Sequence, residues 1–554
     1  MGEFYARYHD GAIMEWPLLK QLQNQGIIAA LDIYFAERAA SHSGTIAEEE
    51  AAVLAAVMAA ARRGHLCLDR KGAAEIFAEE NPLKDPFFKL LERGFSSLED
   101  NGDKLKPFIH RIEDRFYLPK NYALEEALRF HLGRLAGQCL DRTISDFPLR
   151  ANLNEEQRQA VAIALQHRLT LMTGGPGTGK TYTAAAIVQA FTVHTPSAKI
   201  VLAAPTARAA DHLKKRLLES AIDPSYLRYA GTLHGLLGNR NVHTPPEVPC
   251  IDAQLIIIDE CSMIDAGLFV ALLASLPKQS TIILMGDPDQ LHPVGIGSLF
   301  SDLVLAELPL PLGRAHLQHC LRVEDRPLLE LTAALQSGLP CEWPLLDWSV
   351  DAQQAQDFYA KLWEFARPFW IGFALGPTPE VRDHEALKHL GRFRILSVLR
   401  QGPFGTDVLN EWLARRLQLE VKQGQWWAAP IQITRNDAKA GLCNGELGVL
   451  IQPRAASLSF RHPEGYALFP GMENPLPAAL LPAFAYAFCT SVHKSQGSEY
   501  EEVLLIVPPG SEVFGREMLY TAITRAKKKL HIASTEEILS KVRKHHIRKL
   551  SGIT

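Results

Sequence analysis

The sequence predicts an α/β protein of two parallel-sheet domains, preceded by a helical region and interrupted by a small β insertion. Two series of short β-branched runs predict the sheets. RLTLMTGG, KIVLAAPT, QLIIIDE and STIILMGD succeed one another between residues 168 and 287, each ending in a Gly-rich or polar turn and followed by a helical pattern. That is the texture of βα units in a sheet buried on both faces. RFRILSV (392–398), FAYAFCTSV (484–492), EEVLLIV (501–507) and KLHIAS (529–534) form the second series. Within it, residues 426–482 read as short strands broken by Pro and Gly, and this is the insertion.

The remaining boundaries follow from composition. Residues 1–112 carry helical, Ala-rich stretches such as AEEEAAVLAAVMAAARRGH and no chemical motif. Over residues 1–150 there are 19 Lys plus Arg against 23 Asp plus Glu, a poor surface for a phosphate backbone. Residues 113–149 read as a connector, 150–310 as the first parallel-sheet domain and 311–554 as the second.

Composition excludes several classes. The 554 residues, 47% hydrophobic and 22% charged with a net charge of -4, describe a globular chain. At roughly 150 residues per domain, a chain of this length holds three or four domains. Any nucleic acid it binds must meet basic groups gathered in a groove, because the chain as a whole is not basic. The eight cysteines stand no closer than 11 residues apart, so no CxxC pair offers a zinc or iron–sulfur site, and they suit a reducing compartment. No basic leader and no apolar run of 18 residues occurs, so a cytoplasmic protein without a membrane association is expected.

The chemistry begins at Gly174-Gly175-Pro176-Gly177-Thr178-Gly179-Lys180-Thr181, between the strand RLTLMT and the helix TYTAAAIVQAF. Backbone N–H groups of such a loop turn inward around phosphate oxygens, and the helix adds its positive end. Lys180 is placed to neutralise β/γ-phosphate charge and Thr181 to hold Mg²⁺. Leu255-Ile256-Ile257-Ile258-Asp259-Glu260 supplies the second half: Asp259 for Mg²⁺, Glu260 to orient and deprotonate an attacking water. Together they predict Mg-ATP hydrolysis. Gln290, in GDPDQL after the next strand, is placed to sense the γ-phosphate. Arg525, in YTAITRA of the second series, is a candidate arginine finger, and Arg322 in HLQHCLRVED is a second. Trp426 and Trp427 read as core aromatics at a strand start.

Taken in order, LNEEQRQA, the phosphate loop, APTARAA, TLHGLLG, IIIDE, GDPDQL, the Arg322 segment, TSVHKSQGSEYEEVLLIVP and YTAITRA resemble a superfamily 1 DNA helicase. Within that superfamily the chain is most similar to the RecD family, the alpha subunits of exonuclease V. The RecD-like details are the doubled Gly of GGPGTGKT, RILSVLRQGPFGTDVLN and ITRNDAKAGLCNGELGVL. The resemblance implies two RecA-like motor domains with ATP between them, 5′ to 3′ travel on single-stranded DNA, and a part in double-strand break repair and recombination. It implies an adenine-reading role for Gln157. It implies that Pro205, Thr206, Arg208, Thr232 and His234 line the single-strand groove of the first motor, and Thr490, His493, Lys494 and Gln496 that of the second. A Thr after a parallel strand also caps the next helix, so these residue types alone leave both roles open.

The resemblance further implies RecB-like and RecC-like partners, the beta and gamma subunits of exonuclease V. No clustered carboxylates with a Lys suited to two-metal strand cleavage are evident, so a nuclease is expected from a partner. Residues 1–112 are expected to dock those partners, with a brace for the first motor as the alternative. Rival readings are a solitary DNA or RNA helicase and a scaffold subunit with low ATP turnover.

Overall fold

A computed structural model describes residues 16–44, 46–77, 83–136, 152–238, 251–320, 326–373, 375, 383–437, 439–455, 462–472 and 474–553. The N-terminal body is helical, as its composition predicts. Its central helix, Glu48–Arg62, is apolar all round from Ala51 to Ala61 and buried there nearly all round, with Ala51, Leu54 and Ala55 inaccessible. Asp32 is fully buried in this body and is neutralised by Arg62 at 2.6 Å. A three-stranded antiparallel sheet closes it: β1 (Cys67–Leu68), β2 (His110–Ile112) and β3 (Arg115–Tyr117), with β3 central.

The body therefore runs past residue 112, since β3 holds β1 and β2 together. The 113–149 segment is not a loose connector either. Its helix Pro119–Ala136 lies against the first motor, and Arg134 donates to the carbonyls of Leu273 and Leu276 at 2.7 and 2.9 Å, satisfying the end of the helix Ala266–Ser275. Residues 137–149 of that segment lie outside the described residues.

The first motor sheet contains β4 (Leu169–Gly174), β5 (Ile200–Ala204), β6 (Leu227–Thr232), β7 (Leu255–Ile258), β8 (Thr281–Gly286) and β9 (Gly313–Leu317), in the order β6-β5-β7-β8-β4-β9. All pairs are parallel. β9 corrects the expected boundary at 310. GRAHL alternates buried and exposed residues, as an edge strand does, and so lacks the continuous apolar run that marks its neighbours.

The second motor sheet begins with β10 (Phe393–Ser397). The insertion follows as β11 (Trp426–Ile433), β12 (Leu447–Pro453), β13 (Tyr466–Leu468), β14 (Leu476–Pro477) and β15 (Phe484–Tyr486), antiparallel in the order β14-β13-β12-β11-β15. β16 (Cys489–Ser491), β17 (Tyr500–Ile506) and β18 (Ala526–Ala533) then complete the motor sheet, β16-β10-β17-β18, all parallel. The run FAYAFCTSV is thus two strands in two sheets, and the insertion reaches 486, not 482. Pairing decides this: Tyr486 faces Ile431 while Cys489 faces Ile395. Trp427 is fully buried, as a core aromatic should be.

The chain end ties these bodies together. After the helix Glu536–Lys544, residues 545–553 run back over the first motor, where Lys549 donates to the carbonyls of Pro293 and Gly295 at 2.5 Å each. They continue into the N-terminal body, where the Leu66 N–H donates to Leu550 at 2.8 Å. No helix among the described residues is long and apolar enough to cross a membrane.

Candidate nucleotide cleft and nucleic-acid groove

Parallel sheets place their functional loops at the carboxyl ends of the strands, and both motors do so toward one cleft of about 960 Å³. The phosphate loop leaves β4 at Gly174, where a Cβ would lie 2.7 Å from both the Leu317 carbonyl and the Thr178 hydroxyl. Gly177 and Gly179 carry φ of +78° and +86°, the left-handed conformation that only glycine adopts without strain. Thr178 closes the turn by donating to Gly175 at 2.9 Å. Lys180 opens the next helix and donates to the Gly174 and Gly175 carbonyls at 2.5 and 3.1 Å. Thr181 lines the cleft beside it.

β7 delivers Asp259 and Glu260 to the same cleft. Asp259 accepts the Glu260 N–H at 2.8 Å, and Glu260 sits at φ +54°, a conformation a non-glycine residue resists. Burial pushes the Asp259 carboxyl up, against the pull of the Lys180 ammonium. Burial and then the neighbouring Asp259 push Glu260 up, while Arg525 and Lys180 draw it back. Gln290 is 3% exposed, donates to Asp287 at 3.2 Å, and leaves its Oε1 without a partner among the described residues.

From the second motor, Arg525 reaches the cleft close enough for its charge to act on Glu260. Its guanidinium is held by the Thr521 carbonyl at 2.9 Å, the Thr524 hydroxyl at 3.1 Å and the Ser498 carbonyl at 3.3 Å. Arg322 lies outside the described residues. The donor set fits a nucleotide and its cation: a glycine-rich loop opening a helix, an ammonium, one hydroxyl and one carboxylate for a hard cation, and an unpartnered amide oxygen.

Gln157 takes a different place from the one expected. It is buried behind the loop, where its Oε1 accepts the Asn154 N–H at 3.2 Å and its Nε2 reaches the Thr178 carbonyl at 3.5 Å. The amide is occupied by a helix cap and by the phosphate loop, and so buttresses that loop.

The expected groove residues divide into four groups. Thr206 and Thr232 cap helices, accepting the N–H groups of Ala209 and Gly235 at 3.2 and 3.1 Å, with Pro205 half-buried just ahead of the first cap. His234 and Lys494 are exposed. Thr490 is buried with a hydroxyl that has no partner among the described residues, and burial, then the Lys549 charge, lowers the basicity of the half-buried His493. Gln496 and Arg208 instead face the other motor. Gln496 donates to the Leu291 carbonyl at 3.2 Å, and Arg208 lines the nucleotide cleft. Burial raises the Tyr500 hydroxyl, but the Arg394 and Arg208 charges outweigh it and hold the group below its ordinary value.

Four residues within the quoted motifs carry contacts their sequence did not reveal. Tyr520 of the second motor donates to Asp287 of the first at 2.8 Å, and the Leu291 N–H donates to Thr521 at 2.8 Å. The only signal was their presence in GDPDQL and YTAITRA.

Two parallel sheets closing on one phosphate loop define a two-domain P-loop motor. Residues 157–296 match the AAA domain family and 486–533 the UvrD-like helicase C-terminal domain family. The chain is 30% identical to the RecBCD enzyme subunit RecD of Mycolicibacterium smegmatis, across 94% of this chain and 96% of that protein. It is 29% identical to the subunit of the same name from Mycobacterium tuberculosis, across 95% and 94%. The ATP-dependent RecD2 DNA helicase of Deinococcus radiodurans is 28% identical over 88% of this chain and 65% of that protein. Among solved structures, Pif1 helicase from Candida albicans aligns with 71% of this chain and 97% of that one, at 17% identity and a TM-score of 0.41. The chain belongs to the RecD family.

Proposed function

We propose that this chain is an ATP-driven DNA motor, the RecD-type subunit of a RecBCD-type helicase–nuclease complex acting in double-strand break repair and recombination. The observation that carries it is the cleft in which Lys180 and Glu260 of one motor meet Arg525 of the other. Mg-ATP bound there would supply the phosphoanhydride whose cleavage drives the motors. Lys180 neutralises phosphate charge, Thr181 and Asp259 hold the cation, and Glu260 takes the proton of the attacking water. Arg525 supplies positive charge from the far side, so turnover depends on how closely the motors approach. Single-stranded DNA crosses both motors near His234 and Lys494, in the 5′ to 3′ sense.

The partners are RecB-like and RecC-like subunits in the cytoplasm, and a partner supplies the nuclease. The 30% and 29% identity to the mycobacterial RecBCD enzyme subunits supports the subunit reading. Docking by the N-terminal body needs a gentler test than truncation, because that body also braces the first motor through Leu66 and through Gly64, which accepts the Gly297 N–H at 2.8 Å. Substitutions at Leu31 and Tyr34, 50% and 44% exposed on one helix, test docking without removing the brace.

The experiment for the motor is the ATPase rate of the purified chain alone, with single-stranded DNA, and with RNA. Strong stimulation by DNA over RNA is expected. A rate indifferent to nucleic acid overturns the reading in favour of a scaffold.

A further inference from the structure

Residues 287–291 of the first motor are gripped from the second at three points. Tyr520 donates its hydroxyl to Asp287 Oδ2 at 2.8 Å, Thr521 accepts the Leu291 N–H at 2.8 Å, and Gln496 donates to the Leu291 carbonyl at 3.2 Å. Tyr520 stands at the centre of this grip. It is 3% exposed, and its hydroxyl lies 3.2 Å from where a Cβ on Gly175 would be, so it stands beside the phosphate loop as well.

Asp287 is 1% exposed, and its Oδ2 also accepts from Gln290 Nε2 at 3.2 Å. A carboxylate oxygen that takes two donors orients both of them. The Gln290 amide is thereby turned with nitrogen toward Asp287, leaving Oε1 as an acceptor without a donor among the described residues.

We propose that Tyr520 is a positioning residue for ATP hydrolysis: through Asp287 it orients the Gln290 carboxamide, and it does so only while the second motor is closed on the first. The hydroxyl belongs to one motor and the amide it orients to the other. Separation of the motors breaks the Tyr520–Asp287 bond and leaves the Asp287 carboxylate, with the Gln290 amide bonded to it, free to turn, which couples the chemistry to the domain movement. The inference rests on ATP hydrolysis at this cleft.

Tyr520→Phe keeps the ring and removes only the hydroxyl. Steady-state ATP hydrolysis with saturating single-stranded DNA should show kcat about tenfold lower, the worth of one buried hydrogen bond, with KM for ATP little changed. Asp287→Asn should show the same split. In a Gln290→Ala background, Tyr520→Phe should cost nothing further, because the group it orients is gone. A full additional loss in the double variant, or a raised KM with unchanged kcat, overturns the proposal. A parent chain that does not hydrolyse ATP defeats the motor reading itself, whereas parental turnover with an unaffected Tyr520→Phe defeats only this inference.

Discussion

The Gly552 N–H donates to the Glu125 carboxylate at 2.8 Å, joining positions 427 residues apart. The Gly552 carbonyl accepts from Arg129 and Arg115 at 2.5 and 3.2 Å, so the chain end is held on both its polar groups by β3 of the N-terminal body and the helix that follows it. The second motor is thereby fastened to the other two bodies through residues that do not line the nucleotide cleft.

That fastening can be broken at one atom. A Cβ on Gly552 would lie 2.1 Å from both Glu125 Oε1 and the Tyr117 hydroxyl, so Gly552→Val must lift the tail. The expected cost is about 1–3 kcal/mol of stability, as for overpacking elsewhere in protein interiors. Chemical denaturation checks the cost, and limited proteolysis near residue 545 reports whether the tail is free. An unchanged midpoint would show that the tail carries no load.

The same junction contains a titratable group whose effect on stability has a definite sign. His65 accepts the Leu550 N–H at 3.0 Å, and burial, then the charges of Lys549 and Arg63, lowers its pKa to about 4. The unfolded chain therefore binds the extra proton between pH 6.5 and 4. The stabilisation is complete above pH 6.5 and is lost as pH falls toward 4, by up to about 3 kcal/mol. His65→Gln retains an acceptor that does not titrate. Thermal unfolding between pH 7 and 5 should separate the two proteins increasingly at the acid end, and parallel curves would rule the effect out.

At the cleft, charge and proton transfer separate into two variants. Lys180→Gln should abolish turnover with the fold intact, since the amide brings no charge to the phosphates. Glu260→Gln should bind ATP and fail to hydrolyse it, by a factor of about a hundred or more. Nucleotide binding measured beside turnover distinguishes them. Hydrolysis by Glu260→Gln near the parental rate would remove Glu260 from the base role.

Arg525→Lys tests the approach of the second motor. A lysine ammonium cannot satisfy the Thr521, Ser498 and Thr524 acceptors and also present a planar fork to the cleft. Turnover should fall about a hundredfold with nucleotide affinity nearly unchanged. Weakened binding at normal turnover would place the residue in ground-state recognition instead.

The sequence by itself determined what is written in contiguous residues. Buried parallel strands are unbroken apolar runs, so β4, β5, β7 and β8 could be read directly, and with them the phosphate loop and the Asp259-Glu260 pair that those strands carry to one edge. Only the tertiary structure decided what depends on a partner distant in the chain. GRAHL becomes a motor strand because β4 offers it a free edge, and Phe484–Tyr486 stands outside the motor sheet because it pairs with β11. Gln157, Thr206 and Thr232 carry side chains equally able to meet a ligand or an orphan N–H, and only the folded chain shows the helix ends that each of them caps. Tyr520 and Asp287 are 233 residues apart, and a hydrogen bond across that separation leaves no local pattern, because only the folded sheets bring donor and acceptor within reach.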